Sequence, residues 1–333
     1  MGYRHYKNFV LDVAYKSGLF ELGRLMRRQK LTILCYHRFS PTSDANDAIP
    51  ANLFELHLRY LKKRFTVISF SDLSYILEGK LLVKNPLIVT VDDGYCDFAK
   101  VAMPLLEKYE VPATLFVTTR FVDGEIWLWP DIVTYAVSRT PKTEIEVFDS
   151  ESPFLLRTPE EKELASTRIQ NICKRLAEED KAEFLMELSD RLGVQIPLYP
   201  PAEFQPVSWK DLKHFDTRLV EVGSHTVTHP ILSRVAAEHA QKEIEESKEY
   251  IENKLGREVL AFAYPNGMPG DYTTENKETL RETGYNYAVS CTFGFNTPDS
   301  DVFELKRITV QYEIARFAQE VSGFADLRER VFV

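Results

Sequence analysis

Short apolar runs alternate with amphipathic stretches along most of the chain. The runs are Thr32–Tyr36, Thr66–Phe70, Leu87–Val91, Ala113–Thr118, Val220–Ser224, Val259–Tyr264 and Tyr287–Ser290. They are brief and nearly free of charge, the pattern of strands covered on both faces. Between them, Leu53–Lys63, Asp97–Tyr109 and Ala236–Leu255 place apolar residues at helical spacing, and the last stops at Gly256. Alternation of strand and helix over this length predicts a parallel α/β architecture of the barrel type.

Two regions break the rhythm. Residues from Tyr6 to Arg28 read as one helix, with Phe9, Val13, Leu19 and Leu22 at helical spacing and Arg24, Arg27 and Arg28 at its end. Such a helix either packs on the domain or lies on an anionic membrane surface. From 123 to 206 no core strand pair is visible. Thr158-Pro159-Glu160-Glu161 is a helix start, with Thr158 as cap, Pro159 in the first turn and Glu161 completing a capping box, and the pattern runs on towards Gly193. This stretch reads as a helical insertion, placed to form a lid or substrate wall. The expected division is a helical segment at 1–30, a barrel over 31–312 with its insertion at 123–206, and a helical tail at 313–333.

Composition narrows the function. The 333 residues are 44% hydrophobic and 27% charged, with a net charge of −9, so a nucleic-acid partner is not expected. Cys35, Cys96, Cys173 and Cys291 are scattered, which excludes a Cys-rich zinc site, and a disulfide framework is not expected in a chain this long. Asp12, Lys16 and Glu21 interrupt the apolar core that a signal peptide needs, and no run of ~18 apolar residues occurs. The expected compartment is the cytoplasm, with the basic first helix as a means of peripheral attachment at the inner membrane face.

The chemistry concentrates at strand ends. Thr90-Val91-Asp92-Asp93-Gly94-Tyr95 follows the most apolar run, and adjacent carboxylates there repel unless a positive charge is near. Ser224-His225-Thr226-Val227-Thr228-His229 follows another run. Two histidines at i and i+4 face the same way on one helical turn, a spacing suited to one divalent ion. His225, His229 and one carboxylate of the Asp92-Asp93 pair make a two-His, one-carboxylate set with open positions, as catalytic sites have.

With Phe262-Ala263-Tyr264-Pro265-Asn266-Gly267 added in the same order, the sequence resembles the polysaccharide deacetylases of the NodB-homology group, carbohydrate esterase family 4, over roughly residues 30–312 less the insertion. The Tyr36-His37 pair resembles the branch that makes or modifies exopolysaccharides. The resemblance implies a distorted (β/α) barrel of about seven parallel strands and removal of an N-acetyl group from an amino sugar. It implies Asp93, His225 and His229 as ligands of a divalent ion, zinc first among candidates, and Asp92 as the base. Asn266 stands where the family's backbone N–H meets the oxyanion. The expected partner is an N-acetylated saccharide, as a polysaccharide precursor linked to lipid or nucleotide.

Three departures stand out. The family places Arg two residues before the proline of its third motif; Ala263 is there instead. Its fourth motif, an Asp-containing loop ending in Trp, is missing. So is its C-terminal Leu-x-x-His, since no histidine follows His239. Because a closed barrel sets its first strand beside its last, His37 is the candidate general acid and Arg307, on the last strand, the candidate replacement for the Arg. Trp127, Trp129 and Trp209 are candidates for stacking on sugar rings. Hydrolysis of a formyl group or another amide, and glycan binding without catalysis, are the competing readings.

Overall fold

The computed structural model describes residues 3–42, 48–77, 83–147 and 152–324, with side chains from residue 9 onward. Eight parallel strands form the central sheet: β1 (Thr32–Tyr36), β2 (Thr66–Val67), β3 (Pro86–Val91), β4 (Ala113–Val117), β5 (Val220–Ser224), β6 (Ala261–Ala263), β7 (Tyr287–Phe293) and β8 (Leu305–Thr309). Seven of them close a ring in the order β1-β8-β7-β6-β5-β4-β3, with β3 returning to β1. The expected barrel is therefore the observed one. Its distortion has a local cause. β4 pairs with β5 along its length but meets β3 only at its end, at Thr90 and Val91, and β2 lies against the overhanging start at Pro86 and Leu87.

Every residue of β1, β3 and β4 is buried, which is why they read as unbroken apolar runs. Period-two alternation divides them. Leu34, Val89 and Leu115 pack into the large core shared with the surrounding helices. Ile33, Ile88, Phe116, Val289 and Leu305 form a separate cluster. Continuing that second parity to the strand ends brings up Cys35, then Thr90 and Asp92, then Cys291 and Arg307. One face of the sheet thus turns from apolar to polar and thiol side chains at its strand ends.

Several elements differ from expectation. The run Thr66–Phe70 is a strand only at Thr66–Val67, and a helix begins at Phe70 and continues to Leu77. Ser69 and Asp72 cap each other there, and the Glu221 carboxylate accepts from the N–H groups of Phe70 and Ser71. A distant residue on β5 completes the local Ser69–Asp72 cap, and the apolar run leading into Phe70 masks the helix start in the sequence. The first helix is two, Tyr3–Lys16 and Phe20–Met26, separated around Gly18 at φ 77°. The stretch after Tyr95 contains a π-helical turn, Phe98–Ala102, before Met103–Tyr109.

Within 123–206 the Thr158 capping box is present, but the helix it starts ends at Cys173, and a second runs Glu178–Leu192 to left-handed Gly193. With Trp129–Arg139 they enclose a separate core that includes Val133, Ile169 and Leu188. The only strands there are the two-residue antiparallel pair Glu144–Ile145 and Phe154–Leu155 among the described residues. A helix at Ile314–Val321 follows the barrel; 325–333 lie outside the described residues. Among the described residues, no helix is long and apolar enough to cross a membrane.

Candidate active site

The chain leaves β3 at Val91 and turns at once. Asp93 and Gly94 both take left-handed backbone, φ 76° and 93°. A Cβ on Gly94 would meet the Val117 side chain at 3.1 Å, so position 94 disfavours side chains on two counts. The turn sends Asp92 and Asp93, neighbours in sequence, into different surroundings.

Asp92 is gripped by Arg307. The guanidinium donates from Nη1 to Oδ1 and from Nη2 to Oδ2, both at 2.7 Å, and neither side chain reaches solvent. The same Arg307 donates to the Ser290 carbonyl at 2.9 Å and the Thr90 hydroxyl at 3.1 Å, tying β8 to β7 and β3. Burial alone would raise the Asp92 pKa, but the guanidinium overrides it and holds the carboxyl well below its usual range. Cys35 donates its thiol to Asp92 Oδ2 at 3.5 Å, and Arg307 Nη2 lies 3.4 Å from Cys291 Sγ. His37 Nε2 stands 3.9 Å from Asp92 Oδ2, on a side chain 43% exposed.

Asp93 faces imidazoles instead. His225 Nε2 lies 3.6 Å and His229 Nε2 3.4 Å from its Oδ1. His225 donates Nδ1–H to the Ala263 carbonyl at 2.7 Å, which leaves Nε2 as the bare nitrogen turned to Asp93. Burial, then the neighbouring His229, push the His225 pKa down to about 4, so the ring is neutral at pH 7. The Nδ1 of His229 is buried without a partner among the described residues.

The two histidines do not share a helical turn. The segment after β5 is a loop, with Thr226 at φ 71° and His229 at φ 64°. Glu243 accepts from the N–H groups of Val227 and Thr228 and from the Thr228 hydroxyl, and Thr226 Oγ1 accepts from His229 N–H. These bonds stabilise a backbone that would otherwise be strained and bring the rings to 4.8 Å between centroids. The convergence expected from spacing is real; its cause is this pinned loop.

Asn266 is also left-handed, at φ 60°. Its side chain is spent on Asp271, which also accepts from Met268 N–H. Tyr36, by contrast, points away into the helix layer and hydrogen-bonds His57 at 3.0 Å. The tryptophans do not line an open face. Trp127 packs on Tyr135 and Phe204, Trp129 belongs to the core of the insertion, and Trp209 donates to Asp123 at 2.7 Å.

One group of residues had no role in the sequence reading. Tyr95 donates its hydroxyl to buried Asp131 at 2.9 Å, and burial pushes the Asp131 pKa up to about 8. Arg38 lies 4.0 Å over the Tyr95 ring, pairs with Asp97 at 2.7 Å and donates to the Glu203 carbonyl at 2.5 Å. Gly94 accepts from Val207 N–H, and Cys96 donates to Gln205. The 123–206 stretch is thereby stitched to the loop that carries Asp92 and Asp93. The aromatic at 95 and the Arg just beyond β1 were the available signals.

The profile of the polysaccharide deacetylase family matches residues 82–288, more than half the chain, including both Asp92-Asp93 and the two histidines. The chain belongs to the polysaccharide deacetylase family. It is 21% identical over 283 residues to YxkH of Bacillus subtilis, a protein named as a polysaccharide deacetylase, covering 84% of this chain and 71% of that one. Its fold is similar to that of the Streptococcus pyogenes deacetylase PplD (TM-score 0.58, 19% identity, 86% of this chain and 95% of the other). It is also similar to IcaB from Ammonifex degensii (TM-score 0.56, 19% identity, 87% and 97%).

Proposed function

We propose that this deacetylase is a metal-dependent hydrolase that removes the N-acetyl group from an amino sugar in a saccharide. The observation that carries the reading is the state of Asp93: a buried carboxylate whose ion-pair partners among the described residues are two imidazoles, with no Lys or Arg. A buried carboxylate without a Lys or Arg beside it is costly unless a cation is bound. One oxygen and two ring nitrogens within 4.8 Å of one another, with the His225 tautomer fixed, fit a divalent ion, and the nitrogen donors favour zinc. Bound there, the ion would polarise the amide carbonyl and acidify water.

The chain's own residues divide the remaining work. Asp92, kept ionised and oriented by Arg307, receives the proton of the attacking water. Because the guanidinium weakens its basicity, it holds that proton only briefly. His37, on the same face as Cys35 and half exposed at the mouth, gives a proton to the departing amine, which cannot leave as an anion. The Asn266 backbone N–H serves the oxyanion. Arg307 is a positioning residue, and the missing third-motif Arg is thus replaced from β8. We read 1–30 as a segment appended to the 31–312 barrel, 313–333 as its tail, and 123–206 as a wall beside the mouth, supported by the Tyr95–Asp131 bond.

The deciding experiment loads purified protein with zinc and offers N-acetylated and N-formylated glucosamine saccharides, as free oligomers and as nucleotide- or lipid-linked forms. Amine release from an N-acetyl substrate, abolished by chelation and restored by zinc, is expected. Preference for the formyl substrate, or full activity after chelation, would replace this reading.

A further inference from the structure

The two helices before β1 present a surface unlike the rest of the molecule. Leu11, Ala14 and Tyr15 pack on the core, and Phe20 and Gly23 are buried. The opposite sides expose Phe9, Val10, Val13, Leu22, Leu25 and Met26 at 46–70%. Seven of the eighteen exposed large apolar side chains among the described residues fall in residues 9–26. This is a patch, not the scatter that any surface shows.

Charge is segregated in the same place. Residues 1–30 contain seven Lys or Arg against Asp12 and Glu21, a balance of +5, in a chain whose total is −9; residues 31–333 therefore carry −14. Lys16 and Arg28 are exposed beside the apolar side chains. Helices of 14 and 7 residues are too short to span a bilayer, which takes ~20. A second copy meeting this one face to face would bring the like charges of Lys16 and Arg28 together.

We infer that these helices dock the protein on an anionic lipid surface, with the apolar side chains in the acyl boundary and the lysines and arginines among the headgroups. The two contributions are complementary, since either alone gives weak and reversible binding. The docking face lies at the starting ends of the strands: Asn85, just before β3, donates to the Arg28 carbonyl at 2.7 Å, and Arg24 to the carbonyl of Arg64, just before β2. The site residues leave the opposite ends.

The test sediments the full chain with vesicles of phosphatidylcholine alone or containing phosphatidylglycerol. Binding to the anionic vesicles, weakening as salt rises, is expected. Leu22→Glu/Met26→Glu should lower the partition by about tenfold or more, with the thermal melt unchanged. Lys16→Glu/Arg28→Glu should lower it on anionic vesicles only. Should the first variant melt early, Phe9→Trp reports instead: vesicles are expected to shift its added emission to the blue. Equal sedimentation with both lipids at low salt, undiminished binding by the folded glutamate variant, or no shift from Trp at position 9 would overturn the inference. So would a lipid-free dimer that the glutamate variant disperses, which would assign the face to a second copy.

Discussion

The two sides of the barrel mouth treat the same residue type in opposite ways. On the β1, β7 and β8 side, Asp92 is neutralised by a guanidinium that touches both of its oxygens. On the β5 side, one residue later, Asp93 meets two imidazoles, one held neutral by burial, and no Lys or Arg among the described residues. The first carboxylate is complete within the protein. The second, in the reading proposed above, is completed by an ion. Neighbouring groups with divergent surroundings are how one fold separates roles at one pH, and the separation begins with the left-handed turn at Asp93-Gly94.

The largest effects should come from the Asp93 side. His225→Ala or His229→Ala should abolish stoichiometric zinc and lower turnover by about 10³ or more, with the fold retained, as read by metal analysis and circular dichroism. Full occupancy in either variant would erase the contrast. Asp92→Asn should keep the metal and still lose about 10³ in turnover; a metal-free Asn variant would mean the two carboxylates have exchanged roles. Arg307→Gln strips compensation from a buried charge. A destabilisation of roughly 3–5 kcal/mol is expected in urea titration, and Arg307→Lys should recover part of it.

Smaller effects sharpen the picture. His37→Ala should retain metal and cost about 10² on an amide but little on an activated ester, whose leaving group needs no proton. Equal loss on both would remove His37 as the acid. A third carboxyl, Asp131, lies in the insertion and is raised to about 8. Its folded form keeps a proton that the unfolded chain releases near pH 4, so between pH 4 and 8 the native state binds more protons and stability falls as pH rises. Asp131→Asn should flatten that fall while leaving the melt at pH 4 and the metal content nearly unchanged. An identical slope in both proteins would assign the pH dependence elsewhere.

What could be read from sequence follows from how local each cause is. Buried parallel strands announce themselves because both faces are apolar, and the Thr158 cap because its partner is three residues away. The helix at Phe70–Leu77 has a local Ser69–Asp72 cap as well, but the apolar run Thr66–Phe70 reads as strand through its first residue, and Glu221, 151 positions distant, completes the cap. The histidine pair was found for a spacing that suggests a helical turn, yet Glu243 and left-handed Thr226 produce the approach. His37 and Arg307 became candidates only through a family pattern with two vacancies and the closure of a ring. The Arg38–Tyr95–Asp131 contacts carry no motif at all; they join β1, the loop after β3 and the insertion, and exist only once those three are folded together.

The guanidinium on β8 also sets an order of events. Asp92 and Arg307 are 215 residues apart, so at 5–20 residues per second the carboxylate leaves the ribosome roughly ten to forty seconds before its partner exists. Until then, closing the barrel over Asp92 would bury a bare charge. The nascent chain therefore has reason to keep its ring open until the last strand arrives. A prematurely ended chain lacking β8 would carry Asp93, His225 and His229 and yet be unable to seal the barrel over Asp92, which makes translation of Arg307 the step that lets the mouth close.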